Sequence, residues 1–310
     1  MNRDLKNRVS IIRRFNRYYT NILGLLDQHI LESDLSLSEV RVLHEIEKTD
    51  KCTSKMLSDI LCMDAGYLSR ILKKFYKMNL LTKEKSSEDG RAQYLYLTAE
   101  GKEKMDELNS SSDEQIAEII KPLTEIDKNC LAQNMTSIET ILTNGANIKL
   151  EDITISTDVR PGDIGYITYM HGWIYGEEYG YSTAFEGYVA ESFHKFLLNY
   201  NLDNDCLWCA KHNGNIIGCI GIVGQGERAQ LRWFLIDPHY RGIGLGMKLL
   251  QEALNFTKVK KYKSVYLDTT SDLDKAISMY TKAGFIKISE KANNSWREDL
   301  IELEFEKELQ

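Results

Sequence analysis

Alternating glycines mark the segment Arg241-Gly242-Ile243-Gly244-Leu245-Gly246, which lies between an apolar strand (Leu231 to Ile236) and a helix with Leu249, Leu250, Ala253 and Leu254 on one face. Glycines at every second position let backbone N–H groups converge unobstructed, and the helix N-terminus behind them adds its positive dipole end. The chemistry this suits is gripping a diphosphate. A Walker A loop is excluded, because Gly246 is followed by Met247 and Lys248, with Leu249 where the hydroxyl belongs. A Rossmann GxGxxG places Met247 or Leu249 at the third glycine, which leaves only Asp268, an acid ending the next strand, in its favour.

Other residues near this loop could carry chemistry. Leu273, Ala276, Ile277 and Tyr280 follow i, i+3, i+4, i+7 spacing, so by periodicity alone Tyr280 is a core aromatic. Arg232 enters the loop's strand with no acidic neighbour in sequence, and reads either as half of a structural salt bridge or as the receiver of an acceptor carboxylate. Glu177 and Glu178, in a Gly-rich loop after a helix, read by themselves as a solvated pair.

A second constellation lies upstream. Thr53 to Met78 breaks into a short helix, a turn at Cys62 to Asp64, and a second helix that Asp64 can cap. Leu68, Ile71, Leu72 and Phe75 bury one face of that helix; Gly66, Arg70, Lys73 and Lys77 project opposite, flanked by Tyr67, Ser69 and Lys74. Such a cationic face can neutralise phosphates and reach base edges in a major groove. Two short strands then flank a polar tip, where Asp89-Gly90 turns the chain and Arg91 projects toward a minor groove. Alone this would be a solvated hairpin; directly after a helix-turn-helix it is a wing.

The elements that must position these groups change grammar near Gly145. Before it the chain reads as nearly all helix, including a long one from Ala99 to Leu142; beyond residue 151 strands and helices alternate. A chain of 310 residues is long enough for two cores, placed at 1–145 and 151–310. Phe15, Tyr19, Ile22 and Leu26 form an apolar stripe on the first helix, which packs either within the chain or against a second copy. Net charge of −7 argues against indiscriminate nucleic-acid binding, yet residues 51–91 carry nine Lys and Arg against five acids, a local excess that suits a DNA-contacting patch. No apolar run approaches a membrane span and the N-terminus lacks a signal h-region, so the expectation is a cytoplasmic protein. The six scattered cysteines suit a reducing compartment; Cys206 and Cys209, although spaced CxxC, read as core thiols, and no metal site is expected. Nothing nearby clearly activates Cys52 or Cys62 as a sensor.

At this point two resemblances become specific. DAGYLSRILKKF followed by SEDGRAQYLYLTAEGK resembles the recognition helix and wing of the MarR family. The resemblance implies a mostly α winged helix-turn-helix and a homodimer joined through its first and last helices on a double-stranded DNA operator. Tyr67, Ser69, Arg70, Lys73, Lys74 and Arg91 would be its DNA contacts. Arg241 through Gly246 is similar to the acetyl-CoA signature of the GNAT superfamily, and SVYLDTTSDLDKAISMYTKAGF matches that fold's following strand, helix and Gly-Phe corner. This implies an α/β fold with a mixed, largely antiparallel sheet and acetyl transfer from acetyl-CoA to a small amine, amino acid or peptide. Leu235, Ile236, Arg241, Gly242, Ile243, Gly244, Leu245 and Gly246 would bind the cosubstrate. Tyr280 would protonate the departing thiolate, and Arg232 with Trp208 would meet the acceptor. The strand carboxylate common in the family is missing, with Leu231, Arg232, Trp233 and Phe234 in its place, so Glu177 and Glu178 become the candidates for the base. The rival is a regulator whose second domain only senses acetyl-CoA or another ligand.

Overall fold

The computed structural model describes residues 2–24, 33–85, 93–143, 145–146 and 148–309, in two compact units, Met1–Lys128 and Asn129–Gln310. The first unit contains α1 (Arg3–Ile22), α2 (Leu37–Lys48), α3 (Ser54–Leu61), α4 (Ala65–Lys77), the antiparallel pair β1 (Leu81–Lys85) and β2 (Gln93–Leu97), and α5 (Ala99–Ile120). Its core gathers Leu43 of α2, Leu57 of α3, Phe75 of α4 and Met105 of α5, all essentially inaccessible. Ser36 and Glu39 form a capping box at the start of α2, and Asp64 accepts from the Tyr67 amide at 2.9 Å to start α4. Leu26 of the first-helix stripe lies outside the described residues. Within the chain α1 buries none of its residues, and Ile11, Ile12 and Phe15 stay 42–59% exposed.

The expected helix from Ala99 to Leu142 is two helices, α5 and α6 (Glu125–Thr143). The break falls at Pro122, which lacks an amide proton and clashes with the preceding turn, and Thr124 restarts the helix by accepting from the Asp127 amide at 3.1 Å. The compact units divide inside α6 rather than at the change of grammar near residue 145. Gly145, at φ +69°, follows the helix so close to residue 239 that an added Cβ would lie 2.1 Å from the His239 carbonyl oxygen, which ties this end of α6 to the second unit.

Gly101 makes a comparable approach in the first unit, where a Cβ would stand 2.1 Å from the Leu80 carbonyl oxygen. Gly101→Ala is therefore expected to cost about 2–3 kcal/mol despite alanine's better helix propensity, read as a lower urea midpoint for the first unit. An unchanged or higher midpoint would show that the helix start is free to move.

The second unit continues with β3 (Thr154–Ser156), α7 (Asp163–Tyr179), α8 (Thr183–Asn199), β4 (Cys206–His212), β5 (Asn215–Gln225), β6 (Arg228–Ile236), α9 (Leu245–Val259), β7 (Ser264–Thr270), α10 (Asp274–Lys282), β8 (Ile286–Asn293) and β9 (Leu300–Glu308). The sheet order is β3-β4-β5-β6-β7-β9-β8, antiparallel except where β6 meets β7. One face packs Leu231, Val265 and Leu267 against Leu249 and Leu250 of α9; the other packs Leu207, Trp233 and Leu235 against Ile174 of α7 and Phe193 of α8. Cys206 enters the first of these cores and Cys209 the second, so CxxC spacing on a strand does not bring the thiols together, and burial pushes both up to about 11. Among the described residues no helix is long and apolar enough to cross a membrane.

Candidate functional site

The parallel pairing of β6 and β7 lasts only from Arg228–Ser264 to Gln230–Tyr266; beyond it the strands lose register and open a cleft. Just past this point β6 bulges: the register slips between Cys219 and Gly221, and Trp233 adopts φ +50°. The bulge is over-determined. The Trp233 ring stacks on Phe193 at 4.2 Å, its Nε1–H donates to Ser192 Oγ at 2.8 Å, and its carbonyl accepts from Cys219 Sγ at 2.9 Å. Gly221 must lack a side chain because a Cβ would meet the indole at 2.6 Å. One extra residue reverses strand parity, so Arg232 and Trp233 share the α7/α8 side while Phe234 and Ile236 turn to the α9/α10 core.

The glycine loop forms at the end of this strand. Gly242 and Gly244 sit at φ +85° and +90°, and Gly244 is the N-cap of α9 with no side chain over the first-turn amides. First-turn amides of a helix have no intrahelical partner, and a Cβ on Gly242 would meet nothing within 4 Å. Donors without acceptors, open space and a helix N-terminus fit the diphosphate of acetyl-CoA. Arg241, Gly242, Gly244 and Gly246 line a cavity of about 440 Å³, with Leu235 and Ile236 of β6 beside them. Ile243 and Leu245 do not line it; both pack toward the core, Leu245 at 1% exposure, which leaves them only main-chain groups to offer.

Tyr280 of α10 lines the same cavity at 5% exposure, its ring packed near Phe234 and Phe285. Its hydroxyl makes no hydrogen bond to a described residue, and burial, followed by the neighbouring Tyr175 phenol, pushes its pKa well up. It is held as a protonated phenol with an unused donor.

Several expected site residues are placed otherwise. Glu177 and Glu178 lie in the last turn of α7, not in a loop, because the helix runs on to Gly180 at φ +70°. Glu178 grips Arg241, whose NH1 donates to both carboxylate oxygens at 3.0 and 2.8 Å while its Nε donates to the Ile236 carbonyl. Neither glutamate lines the cavity, so neither is placed as the base. Trp208 is 7% exposed against Phe256 in the α9 core, since an inward strand position outweighs its indole N–H; it does not meet the acceptor space. Arg232 does line the cavity. Its partner there is neutral, the Tyr188 hydroxyl at 3.1 Å.

Sequence reasoning missed His171, the aromatic wall of Tyr181, Phe185 and Tyr188, and Trp296 from the β8–β9 loop. Only His171 had a signal, lying on the stripe of Ile167 and Ile174. Its Nδ1–H donates to the Ile167 carbonyl at 2.8 Å, and burial pushes its pKa down to about 4. A histidine kept neutral in the fold but protonated near pH 6.5 when unfolded makes stability fall as pH drops from about 6.5 toward 4. Between pH 7 and pH 5 the second unit is expected to lose roughly 2 kcal/mol by this route, and His171→Leu to flatten that slope in urea titrations. Equal slopes would refute the assignment.

In the first unit, Tyr67, Ser69, Arg70 and Lys73 stand exposed on α4 as expected, with Arg70 5.7 Å from the Tyr67 ring. Lys74 differs: its ammonium donates to both oxygens of Glu39 at 2.8 and 2.9 Å, which makes it a strut between α4 and α2 rather than a free DNA contact. Asp89, Gly90 and Arg91 at the wing tip lie outside the described residues.

Comparison with known proteins agrees with this division. The Acetyltransferase (GNAT) family matches residues 171–285, and the Transcriptional regulator SarA/Rot family matches residues 26–108. The latter is a winged-helix regulator, the same kind of domain as the MarR fold the sequence resembles, under a different family name. An uncharacterized N-acetyltransferase, YjgM of Escherichia coli, is 31% identical over 114 residues, covering 35% of this chain and 68% of its own length. N-acetylaspartate synthetase of Xenopus tropicalis is 32% identical over 82 residues, 26% of this chain and 30% of its own. An acetyltransferase structure from Streptococcus agalactiae aligns at 21% identity with TM-score 0.42, covering 52% of this chain and all of the other. The chain spans about half or less of the length of the first curated relatives it matches, 54%, 43% and 30%. With its glycine loop, bulged strand and cavity phenol, the chain belongs to the GNAT acetyltransferase family and carries a winged-helix regulator domain ahead of its acetyltransferase fold.

Proposed function

We propose that the second unit transfers the acetyl group of acetyl-CoA to the amine of a small acceptor, an amino acid or a short peptide. The observation that carries this reading is the protonated Tyr280 hydroxyl, bonded to no described residue, in the same cavity as Gly242, Gly244 and Gly246 at the N-terminus of α9. Acetyl-CoA supplies an activated thioester. The loop amides and the α9 dipole hold its diphosphate, Tyr280 donates a proton to the leaving sulfur, and Arg232 receives the acceptor's carboxylate. The N-acetylaspartate synthetase among the relatives, named for an acetylated amino acid, supports the last point.

The first unit, on this reading, is a MarR-like DNA-binding and dimerisation domain within residues 1–145. It binds a double-stranded operator as a homodimer in the cytoplasm, with the exposed apolar face of α1 against a second copy. The rival reading, a sensor without turnover, draws on the missing carboxylate of β6 and on the Glu178 grip on Arg241. Thiol release from acetyl-CoA across a panel of amines, amino acids and short peptides separates the two. Turnover with at least one acceptor is expected; a panel with none would sink the enzyme and leave the sensor.

A further inference from the structure

On the sheet face beside the cavity nearly every charge is spent. Arg228 pairs with Glu304 and Glu306, and Lys291 pairs with Glu302. Two charges differ. Arg232 of β6 has the Tyr188 hydroxyl as its hydrogen-bond partner, and Asp268 of β7 has the Gln230 amide at 2.9 Å; neither has a counter-ion within 4 Å among the described residues, and they do not pair with each other. Each stands two residues beyond the last paired position of its strand, where β6 and β7 part, and both line the cavity. Next to them the exposed ring of Tyr188 and the half-buried ring of Trp296 lie 5.1 Å apart and form an apolar wall.

A cation and a carboxylate on neighbouring strands, each without a counter-ion within 4 Å among the described residues and both beside an aromatic surface, match one small molecule bearing both opposite charges and an apolar group. We propose that the acceptor is a free α-amino acid bound as its zwitterion, with its carboxylate on Arg232, its ammonium on Asp268 and an apolar or aromatic side chain against Tyr188 and Trp296. This rests on the acetyl-transfer reading and supplies the base that β6 lacks. Partial desolvation, then Glu302 and Glu304, raise the Asp268 pKa, which suits a carboxylate that must take up a proton. The first ammonium proton passes to Asp268. The nitrogen lone pair then forms the C–N bond as the C–S bond breaks, and the second nitrogen proton goes to water. Sulfur leaves with the Tyr280 proton, which water restores, and Asp268 returns its own to solvent.

The test uses the full chain with L-phenylalanine, 2-phenylethylamine and glycine as acceptors, and equilibrium binding of acetyl-CoA as an independent readout. The expected kcat/KM for L-phenylalanine exceeds that for either analogue by roughly tenfold or more. In Arg232→Gln the preference over phenylethylamine collapses through the KM for the amino acid. In Asp268→Asn kcat falls about 10²-fold, and its pH profile loses the acidic limb that a carboxylate base produces. Phenylethylamine matching L-phenylalanine, or a preference that survives Arg232→Gln, would overturn the zwitterion assignment while thiol release with any amine kept acetyl transfer standing. Failure of the chain to bind acetyl-CoA would remove both.

Discussion

Tyr280→Phe is expected to lower kcat for acetyl transfer by about 10²-fold or more while leaving acetyl-CoA affinity and thermal stability near those of the parent chain. The substitution keeps the ring and its packing against Phe234 and Phe285 and deletes only a hydroxyl that bonds to no described residue. A core phenol with no chemical task would give the opposite pattern, a change in stability with kcat intact. Because burial holds the phenol protonated throughout the neutral range, the donor is present in every molecule, and its loss should lower kcat and kcat/KM together, as for an interaction made only in the transition state. Steady-state kinetics at saturating acetyl-CoA reads this directly. A kcat within threefold of the parent would end the general-acid role.

The second large effect lies on α4. Arg70→Ala combined with Lys73→Ala should weaken binding to the chain's operator by about 10²-fold or more and make the salt dependence shallower by roughly two units of slope. Both side chains stand on the solvent face of a helix whose Leu68, Ile71, Leu72 and Phe75 are buried, so the fold should tolerate the change, with circular dichroism unaltered. Lys74→Ala is the contrast. It removes the partner of Glu39, whose carboxylate the ammonium holds in its charged form, and should act on the stability of the first unit more than on its DNA affinity. Operator affinity that survived the double substitution would mean that α4 is not the reading helix.

Much of this architecture was readable along the chain because it is written locally. The cap at Asp64 and the glycine spacing after β6 are decided by neighbours within one or two turns, and each appeared where periodicity and turn chemistry put it. The break between α5 and α6 was equally local: Pro122 carries the signal, and the reading of one helix from Ala99 to Leu142 passed over it. Glu177 and Glu178 were misplaced for a similar reason, since glycines at 172 and 176 suggested a loop where packing of the apolar stripe of α7 sustains a helix.

Residue types and spacing by themselves determined that this chain holds a winged helix, a diphosphate-gripping loop and a tyrosine on the stripe behind it. Tertiary structure alone decided how the charges are used: Lys74 is consumed by Glu39 and Arg241 is held by Glu178, while Arg232 and Asp268 are left to face a cleft. The reason is physical. Ion pairing depends on which distant strands and helices come within about 4 Å, and a single extra residue at the Trp233 bulge reverses the side on which later β6 side chains emerge.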